Sequence, residues 1–169
     1  MRNLKWFARP DKFKNRLIMV ILGVLIQGFG LSWIIEVSFG TDPCSAFTQG
    51  VISHVPLSFG TAQLLINIIL FVVVFFADTG LIGFGTIANM VFIGYISDFC
   101  RFIYSKTLPA ELFQNTTTRI IILIPALIVF ILGAAMYMTA GLGPSPYDAI
   151  AFIVSERAEN IPFKFIRMS

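Results

Sequence analysis

The sequence has 169 residues, of which 57% are hydrophobic and only 12% are charged, and its mean hydropathy is +0.86. A soluble domain of this length could not bury 18 phenylalanines beside its other apolar side chains, so the composition excludes a soluble globular protein and indicates a lipid bilayer as the surroundings. The two cysteines and the single histidine have no metal-type spacing, and nucleophile and nucleotide-binding motifs are missing, so we expect no metal, no cofactor and no enzyme activity.

The first 16 residues form a basic tail ahead of the first long apolar segment. They hold half of the 12 lysines and arginines: Arg2, Lys5, Arg9, Lys12, Lys14 and Arg16. Basic residues directly before a spanning segment indicate a cytoplasmic tail with anionic lipid head groups as its partner, and they disfavour a nucleic-acid-binding tail. The apolar run that follows is longer than the core of a secretory signal, so we expect it to be retained.

Four segments are apolar enough and long enough to cross a bilayer, which takes about 20 helical residues. They are residues 17–37, 61–77, 81–104 and 120–139. The third is more polar than the others because it carries Asn89 and Asp98, but it is too long for an interfacial helix. The predicted fold class is therefore an all-α polytopic membrane protein, with residues 106–119 as a loop.

Two further apolar segments are too short to span the bilayer as ordinary helices. Residues 43–55 lie between the helix breakers Gly40, Pro43 and Pro56, and residues 146–156 begin at a proline in the same way. A helix of 12 residues covers only about 18 Å. We predict a short membrane helix at each, and re-entrant, broken and surface amphipathic helices all remain open.

The sequence matches itself at an offset of 103 residues. The identical pairs are Arg16 and Arg119, Gly30 and Gly133, Gly40 and Gly143, Pro43 and Pro146, Ala46 and Ala149, and Val51 and Val154. Glycine and proline at a helix break have specific backbone roles, so we predict two tandem repeats, at residues 17–105 and 120–169. Each repeat has a long helix followed by a short Gly/Pro-broken helix. The second repeat stops before a partner for residues 61–104, so we expect a C-terminally truncated chain.

Several of these motifs occur together in a known family. The arginine before the first helix, the sequence GTDPCS at residues 40–45, and GFGTI at residues 83–87 with Gly94 and Asp98 resemble the bacterial YczE/YitT-type family of small multi-spanning membrane proteins. The sequence PYDA at residues 146–149 fits the same pattern. The resemblance covers nearly the whole chain, although members of the family are usually longer. It implies a location in the bacterial plasma membrane and no established reaction or substrate.

Two topologies are consistent with the sequence. If residues 43–55 do not cross the membrane, Arg101, Lys106 and Arg119 lie outside the cell, against the positive-inside rule. If that segment crosses the membrane as a thin or tilted half-length helix, these three residues become cytoplasmic. The second topology is favoured; it makes the two repeats parallel, with Arg16 and Arg119 on the same side of the membrane.

Polar residues inside the spanning segments are candidates for function, because charged and amide groups are costly at membrane depth. Asp98 fits a coupling charge, but an ion pair with Arg101 is the favoured interpretation. Gln63, Asn67 and Asn89 could line a polar path, although hydrogen bonds between helices are favoured over it. Asp42 and Asp148 are each predicted to cap a short helix.

Two functions of different classes follow from this pattern. A long helix followed by a short broken one, repeated, is typical of transporters with a site at the repeat interface. That hypothesis is a small-solute transporter or permease whose site combines the two breaks: Gly40, Asp42, Pro43, Ser45, Gly143, Pro146 and Asp148. The alternative is a non-transporting membrane scaffold or accessory subunit. The lipid bilayer is the expected partner; a homo-oligomer or a membrane partner is left open, and no nucleic acid is expected.

Overall fold

The computed structural model describes residues 11–157, which form helices joined by turns and contain no β-strand. Within that range the α-helices in chain order are α1 (Phe13–Val37), α2 (Pro43–Ile52), α3 (Phe59–Ala77), α4 (Phe84–Thr107), α5 (Thr116–Thr139) and α6 (Pro146–Arg157). Two short 3-10 turns, Thr79–Leu81 and Ala110–Phe113, precede α4 and α5. Residues 1–10, most of the predicted basic tail, and residues 158–169 lie outside the described range.

The four long helices α1, α3, α4 and α5 are each long and apolar enough to span a membrane. Large apolar side chains cover their outer surfaces, including Ile121 and Ile128 on α5 and Phe76 on α3. In water such surfaces would be unfavourable, whereas in a bilayer they contact lipid. The predicted all-α polytopic membrane fold is confirmed.

The short helix α2 ends earlier than the sequence suggested, at Ile52 rather than at residue 55. Pro56 disfavours helical geometry in the residue before it. In addition, the hydroxyl of Ser53 donates to the carbonyl of Gly50 at 2.7 Å, a local bond that competes with helix continuation. The first helix instead begins earlier than predicted, at Phe13, so part of the basic tail is helical.

Helices α1 and α5 are antiparallel and form the most extensive contact of the bundle. The guanidinium of Arg16, at the start of α1, donates to the carbonyl of Ala140 after the end of α5 at 3.1 Å. Conversely Arg119, near the start of α5, donates to the carbonyl of Val37 at 2.6 Å and to that of Ser38 at 3.1 Å. The two arginines therefore lie at opposite ends of the bundle, and the expectation of parallel repeats is wrong.

The direction of α4 completes the topology. At one end Phe13 of α1 packs edge-on against Phe84 of α4, and at the other Glu36 of α1 accepts from Arg101 of α4, so α1 and α4 are parallel. Helix α3 is antiparallel to α4, because its first turn at Gly60 contacts Gly94 near the middle of α4 and Asp98 in the second half of α4. The long helices thus alternate in direction. The segment that contains α2 returns to the side from which it started, and it is re-entrant.

Glycines allow the backbones of α1 and α5 to touch. A Cβ atom built on Gly23 would lie 2.7 Å from the backbone nitrogen of Tyr137, and one on Gly30 would lie 2.6 Å from that of Phe130. A Cβ on Gly133 would overlap the backbone of Gln27. Close approach of this kind is a common basis of helix association in lipid, where dispersion contacts replace the hydrophobic effect. The α1–α5 pair is therefore the dense centre of the fold.

Candidate functional site

The first break in the bundle lies between α1 and α2. Gly40 has φ of +106°, a conformation that side chains rarely adopt, and it turns the chain back toward the bundle. Asp42 then caps α2, since its Oδ2 accepts from the backbone N–H of Ser45 at 3.1 Å. Pro43 occupies the first helical position, where its missing N–H is harmless.

The second break lies between α5 and α6 and uses the same devices in a different order. Gly143 has φ of +101° and Pro146 begins α6. Here the cap is Ser145, whose hydroxyl accepts from the backbone N–H of Asp148 at 3.1 Å. The Oδ2 of Asp148 accepts from Ser145 Oγ at 2.9 Å and from the hydroxyl of Tyr137 at 2.7 Å. Asp148 is therefore not the helix cap that the sequence suggested but a buried partner of the cap.

Corresponding positions of the two breaks, 103 residues apart, share backbone conformation. Ser38 and Gly141 have φ of +54° and +65°, and Gly40 and Gly143 have φ of +106° and +101°. At the helix starts the acidic and hydroxyl residues are exchanged: Asp42 and Ser45 on α2 correspond to Ser145 and Asp148 on α6. The internal duplication stays a prediction, and these pairs support it, now as an inverted arrangement because α1 and α5 are antiparallel.

The two short helices point their N-termini at each other. Both Asp42, before α2, and Asp148, in the first turn of α6, line one pocket together with residues near the middle of long helices, Gln27 of α1 and Asn67 of α3. From this pocket α2 runs toward the end of the bundle where Ile52 joins the cluster around Phe59. Helix α6 runs the other way, because its Ala149 packs with Val74 and Ile82 near the opposite end of α3.

The pocket where the N-termini meet has a volume of about 110 Å³ and is lined by more polar than apolar residues. Its polar residues are Gln27, Asp42, Cys44, Ser45, Gln63, Asn67, Asn89, Ser145, Tyr147 and Asp148, and its apolar residues are Pro43, Ile93 and Phe130. No lysine, arginine or histidine lines it within residues 11–157. Among the described residues there is also no group of three His, Cys, Asp or Glu side chains arranged to hold a metal ion. The pocket is thus a small chamber with both polar and apolar surface near the middle of the helix bundle.

Two carboxamides on one face of α3 extend into this pocket. Gln63 is 5% exposed and Asn67 is 3% exposed. The Oε1 atom of Gln63 has no hydrogen-bond partner in the described part of the chain, and no hydrogen bond joins the Asn67 side chain to any other described residue. Buried polar groups are normally hydrogen-bonded, so such a pair calls for water or a solute in the pocket. By contrast Asn89 donates to Gln27 at 3.1 Å and joins α4 to α1.

Not every predicted site residue reaches the pocket. Asp98 lies toward one end of the bundle, where its Oδ2 accepts from the backbone N–H of Gly60 at 2.8 Å and its Oδ1 is 4.0 Å from Arg101. It acts as a cap for α3 and as an ion-pair partner, which agrees with the interpretation favoured from the sequence. Gly40, Gly143 and Pro146 shape the breaks without lining the pocket.

The sequence interpretation missed Gln27, Cys44, Ser145 and Tyr147. Ser145 could have been found, because it corresponds to Asp42 at the offset of 103 residues. Gln27 carries a weaker signal, a single amide in the middle of a mostly apolar spanning helix, which is the kind of residue that favours a bundle interior. Nothing in the pattern distinguishes Cys44 or Tyr147 from ordinary residues of a short membrane helix.

Comparison with known proteins places this chain in a family. The chain is 29% identical over 136 residues to the "Uncharacterized membrane protein YczE" of Bacillus subtilis (strain 168), a match that covers 80% of this chain and 60% of the relative. The chain therefore spans less than two thirds of the length of that curated relative. No solved structure matches. The predicted resemblance to YczE-type membrane proteins is confirmed, and with residues 14–169 matched the chain belongs to the family of unknown function DUF6198.

Proposed function

We propose that this membrane protein moves a small polar solute across the bilayer through the pocket between its two helix breaks. One observation carries the proposal: two short helices enter from opposite sides and point their N-termini at one polar pocket near mid-membrane. Broken helices at this depth are tolerated where they are buried in protein or line a cavity, and in transporters they form the substrate site.

The contacts around the pocket suggest which parts are fixed and which can move. The α1–α5 pair is held by backbone contact at Gly23 and Gly133, so it serves as the rigid support. Helix α2 is different, because Ser45 and Thr48 are its only buried residues. Pro43, Cys44 and Tyr147 line both the pocket and a neighbouring apolar crevice between α2, α3 and α6. Small displacements of α2 would therefore open or close the pocket toward its side of the membrane.

Transport is tested with the full chain in proteoliposomes. Osmotic swelling is followed by light scattering in gradients of methylammonium chloride, urea and sodium formate. Asn67→Leu, close to isosteric and without the carboxamide, should return the swelling rate to that of empty liposomes for the transported solute. Gln114→Met is the matched control, an exposed amide outside the pocket, and should keep the wild-type rate. Equal rates for empty and wild-type liposomes in every gradient would contradict the proposal.

The scaffold or accessory-subunit alternative, with a second copy or another membrane protein as partner, makes a different prediction. The exposed apolar face of α5, with Ile121, Ile124 and Ile128, fits a partner helix as well as lipid. Asp42→Ala should leave partner binding intact under that alternative, whereas in a transporter it abolishes flux without loss of expression. Asp148→Ala makes the same distinction only where the variant still folds, because Asp148 is buried and bonded to Tyr137 and Ser145. In neither case do we assign an enzymatic reaction to the pocket.

We further propose that the protein lies in the bacterial plasma membrane with its N-terminus in the cytoplasm. Alternating long helices then put Arg101, Lys106 and Arg119 on the outside. Two of these residues are bonded within the protein: Arg101 pairs with Glu36, and Arg119 donates to the carbonyls that end α1. Because they have these structural roles, they count less as evidence of orientation under the positive-inside rule.

Cysteine labelling tests this orientation in a background with Cys44→Ser and Cys100→Ser. An impermeant thiol reagent added to intact cells should label Lys106→Cys and should not label Lys14→Cys. The reverse labelling pattern would invert the orientation, and labelling of both from one side would contradict the alternation of the long helices.

A further inference from the structure

We infer that the pocket accepts a small primary ammonium ion, an inference that rests on the proposed function and names its substrate class. The pocket must supply three things to such an ion: negative charge, hydrogen-bond acceptors and a small apolar wall. Each is present at the meeting point of α2 and α6.

The first requirement is charge. Asp42 and Asp148 line the pocket and no cationic side chain does within the described residues. The N-termini of α2 and α6 oppose this charge with about +0.5 each, as helix dipoles do. Two carboxylates against two such dipoles leave about one negative charge, which one monovalent cation balances. An anion would instead meet two carboxylates with no compensating lysine or arginine.

One backbone N–H at the start of each short helix is already bonded within the protein, which weakens the usual reason for anion binding. The Ser45 N–H donates to Asp42 at 3.1 Å, and the Asp148 N–H donates to Ser145 Oγ at 3.1 Å. In an anion site these donors would point at the ligand. Here the two donors are bonded to the side chains of Asp42 and Ser145, so a ligand contacts the remaining oxygens that line the pocket.

The second requirement is a set of free acceptors. Gln63 Oε1 is buried without a hydrogen bond in the described part of the chain, and Asn67 reaches the same pocket. Asp42 uses Oδ2 for the cap, and no hydrogen bond to its Oδ1 is seen among the described residues. An ammonium group carries three N–H donors and no acceptor, so it matches three oxygens of this kind.

The third requirement is size and an apolar wall. A cavity of about 150 Å³ holds benzene, so the pocket of about 110 Å³ limits its occupant to about five non-hydrogen atoms. Ile93 and Phe130 form an apolar side of the lining, against which a short alkyl group can pack. A bare alkali ion would leave this wall unused.

The test uses the full-length protein in detergent with methylammonium chloride as the probe. Isothermal titration calorimetry should show binding, with no comparable heat for urea, sodium formate or potassium chloride. Asp42→Asn should weaken methylammonium binding by about tenfold, because hydrogen bonds to charged groups are roughly twice as strong as neutral ones. Asparagine caps helices as well as aspartate does, so the variant keeps α2 in place.

A matched control is Asp78→Asn. Asp78 also accepts from a backbone N–H, that of Gly80 at 2.8 Å, but it does not line the pocket. It should leave methylammonium affinity unchanged. Uptake of labelled methylammonium into proteoliposomes, compared with empty liposomes, gives the second readout.

The two readouts separate the inference from the function on which it rests. Methylammonium binding that weakens in Asp42→Asn but not in Asp78→Asn supports the substrate class, and binding without uptake would then overturn transport alone. Swelling driven by urea or formate without methylammonium binding would overturn the substrate class and leave transport standing. Binding of potassium in place of methylammonium would also overturn the ammonium assignment. Absence of both binding and flux overturns both proposals.

Discussion

The two helix breaks share a backbone design and differ in how firmly they are held. At the first break a Cβ atom on Gly40 would meet nothing within 4 Å, and Asp42 is only partly buried. At the second break Gly143 lies against Thr86 and Gly83 of the α4 start, and Asp148 is 5% exposed beneath the Tyr137 hydroxyl. One turn is open to its surroundings and the other is locked into the bundle.

This difference indicates that the two helix breaks have different structural roles. The second break is fixed by contacts to α4 and α5, including a bond from the Gly85 N–H to the carbonyl of Leu142 at 2.7 Å. The first break has no comparable bond from its turn to another helix except through Arg119, within the described residues. The second break therefore sets the geometry of the pocket, and the first is the less constrained of the two.

The largest expected effect is that of Gly143→Ala. Its Cβ would lie 2.5 Å from Thr86 Oγ1 and 2.8 Å from the Gly83 backbone nitrogen, at a φ that alanine disfavours. We expect a loss of about 3 kcal/mol in the free energy of unfolding, from overpacking and backbone strain together. Gly40→Ala has the strain without the clash and should cost about 1 kcal/mol. Unfolding in mixed detergent and SDS micelles measures both, and equal losses would contradict the comparison.

The next effect is that of Tyr137→Phe, which removes the hydroxyl that bridges Asp148 and the Ser145 N–H. Because both partners are buried, we expect a loss of about 2 kcal/mol in unfolding free energy. Tyr104→Phe is the control, since its hydroxyl shares one hydrogen bond with Ser32 in a half-buried position and should cost about 1 kcal/mol. A smaller loss for Tyr137→Phe than for the control would show that the second break is not locked by this hydroxyl.

A third comparison uses the two arginines. Arg119→Met removes two hydrogen bonds to carbonyls that end α1, and Arg16→Met removes one to the carbonyl of Ala140. We expect losses of about 1.5 and about 1 kcal/mol, discounted because both guanidinium groups are partly exposed. The first break should depend more on its arginine, since it has fewer other contacts. Equal losses in the same micelle assay would argue against that dependence.

The smallest effect is expected at the cap of α2. Asp42→Ala should cost about 1 kcal/mol by leaving the Ser45 N–H without its acceptor, whereas Asp42→Asn should be neutral for stability. Hydrogen exchange at Ser45 reports the change locally. Equal exchange rates in Asp42→Ala and wild type would mean that this cap contributes nothing to α2.

Much of the fold follows from the sequence because its signals are local. The lengths of the apolar segments predict the four spanning helices, and the residues around Gly40 and Gly143 predict both breaks. The joint placement of Asp42 and Asp148 at one pocket agrees with the site hypothesis drawn from the repeat, although its role in transport remains a prediction.

What the sequence could not show is the relative direction of distant helices. Arg16 and Arg119 correspond at the offset of 103 residues, which suggested a shared side of the membrane. In an inverted arrangement, corresponding residues lie on opposite sides, and each arginine bonds the carbonyl end of the other long helix. No local pattern encodes that choice. It depends on contacts such as Gly23 with Tyr137, which form only when α1 and α5 pack together.

The reciprocal arginine bonds also have a consequence for how the chain is made. Arg119 is separated by 82 positions from Val37, whose carbonyl it binds. At about 5–20 residues per second, synthesis reaches Arg119 roughly 4–16 s after the end of α1 has been translated. Through that interval α1 lacks both the hydrogen bond from Arg119 and the close glycine contacts with α5. The nascent first helix therefore stays without its α5 contacts until α5 has been synthesised. An insertion factor that binds exposed membrane helices would act mainly on α1 during this interval.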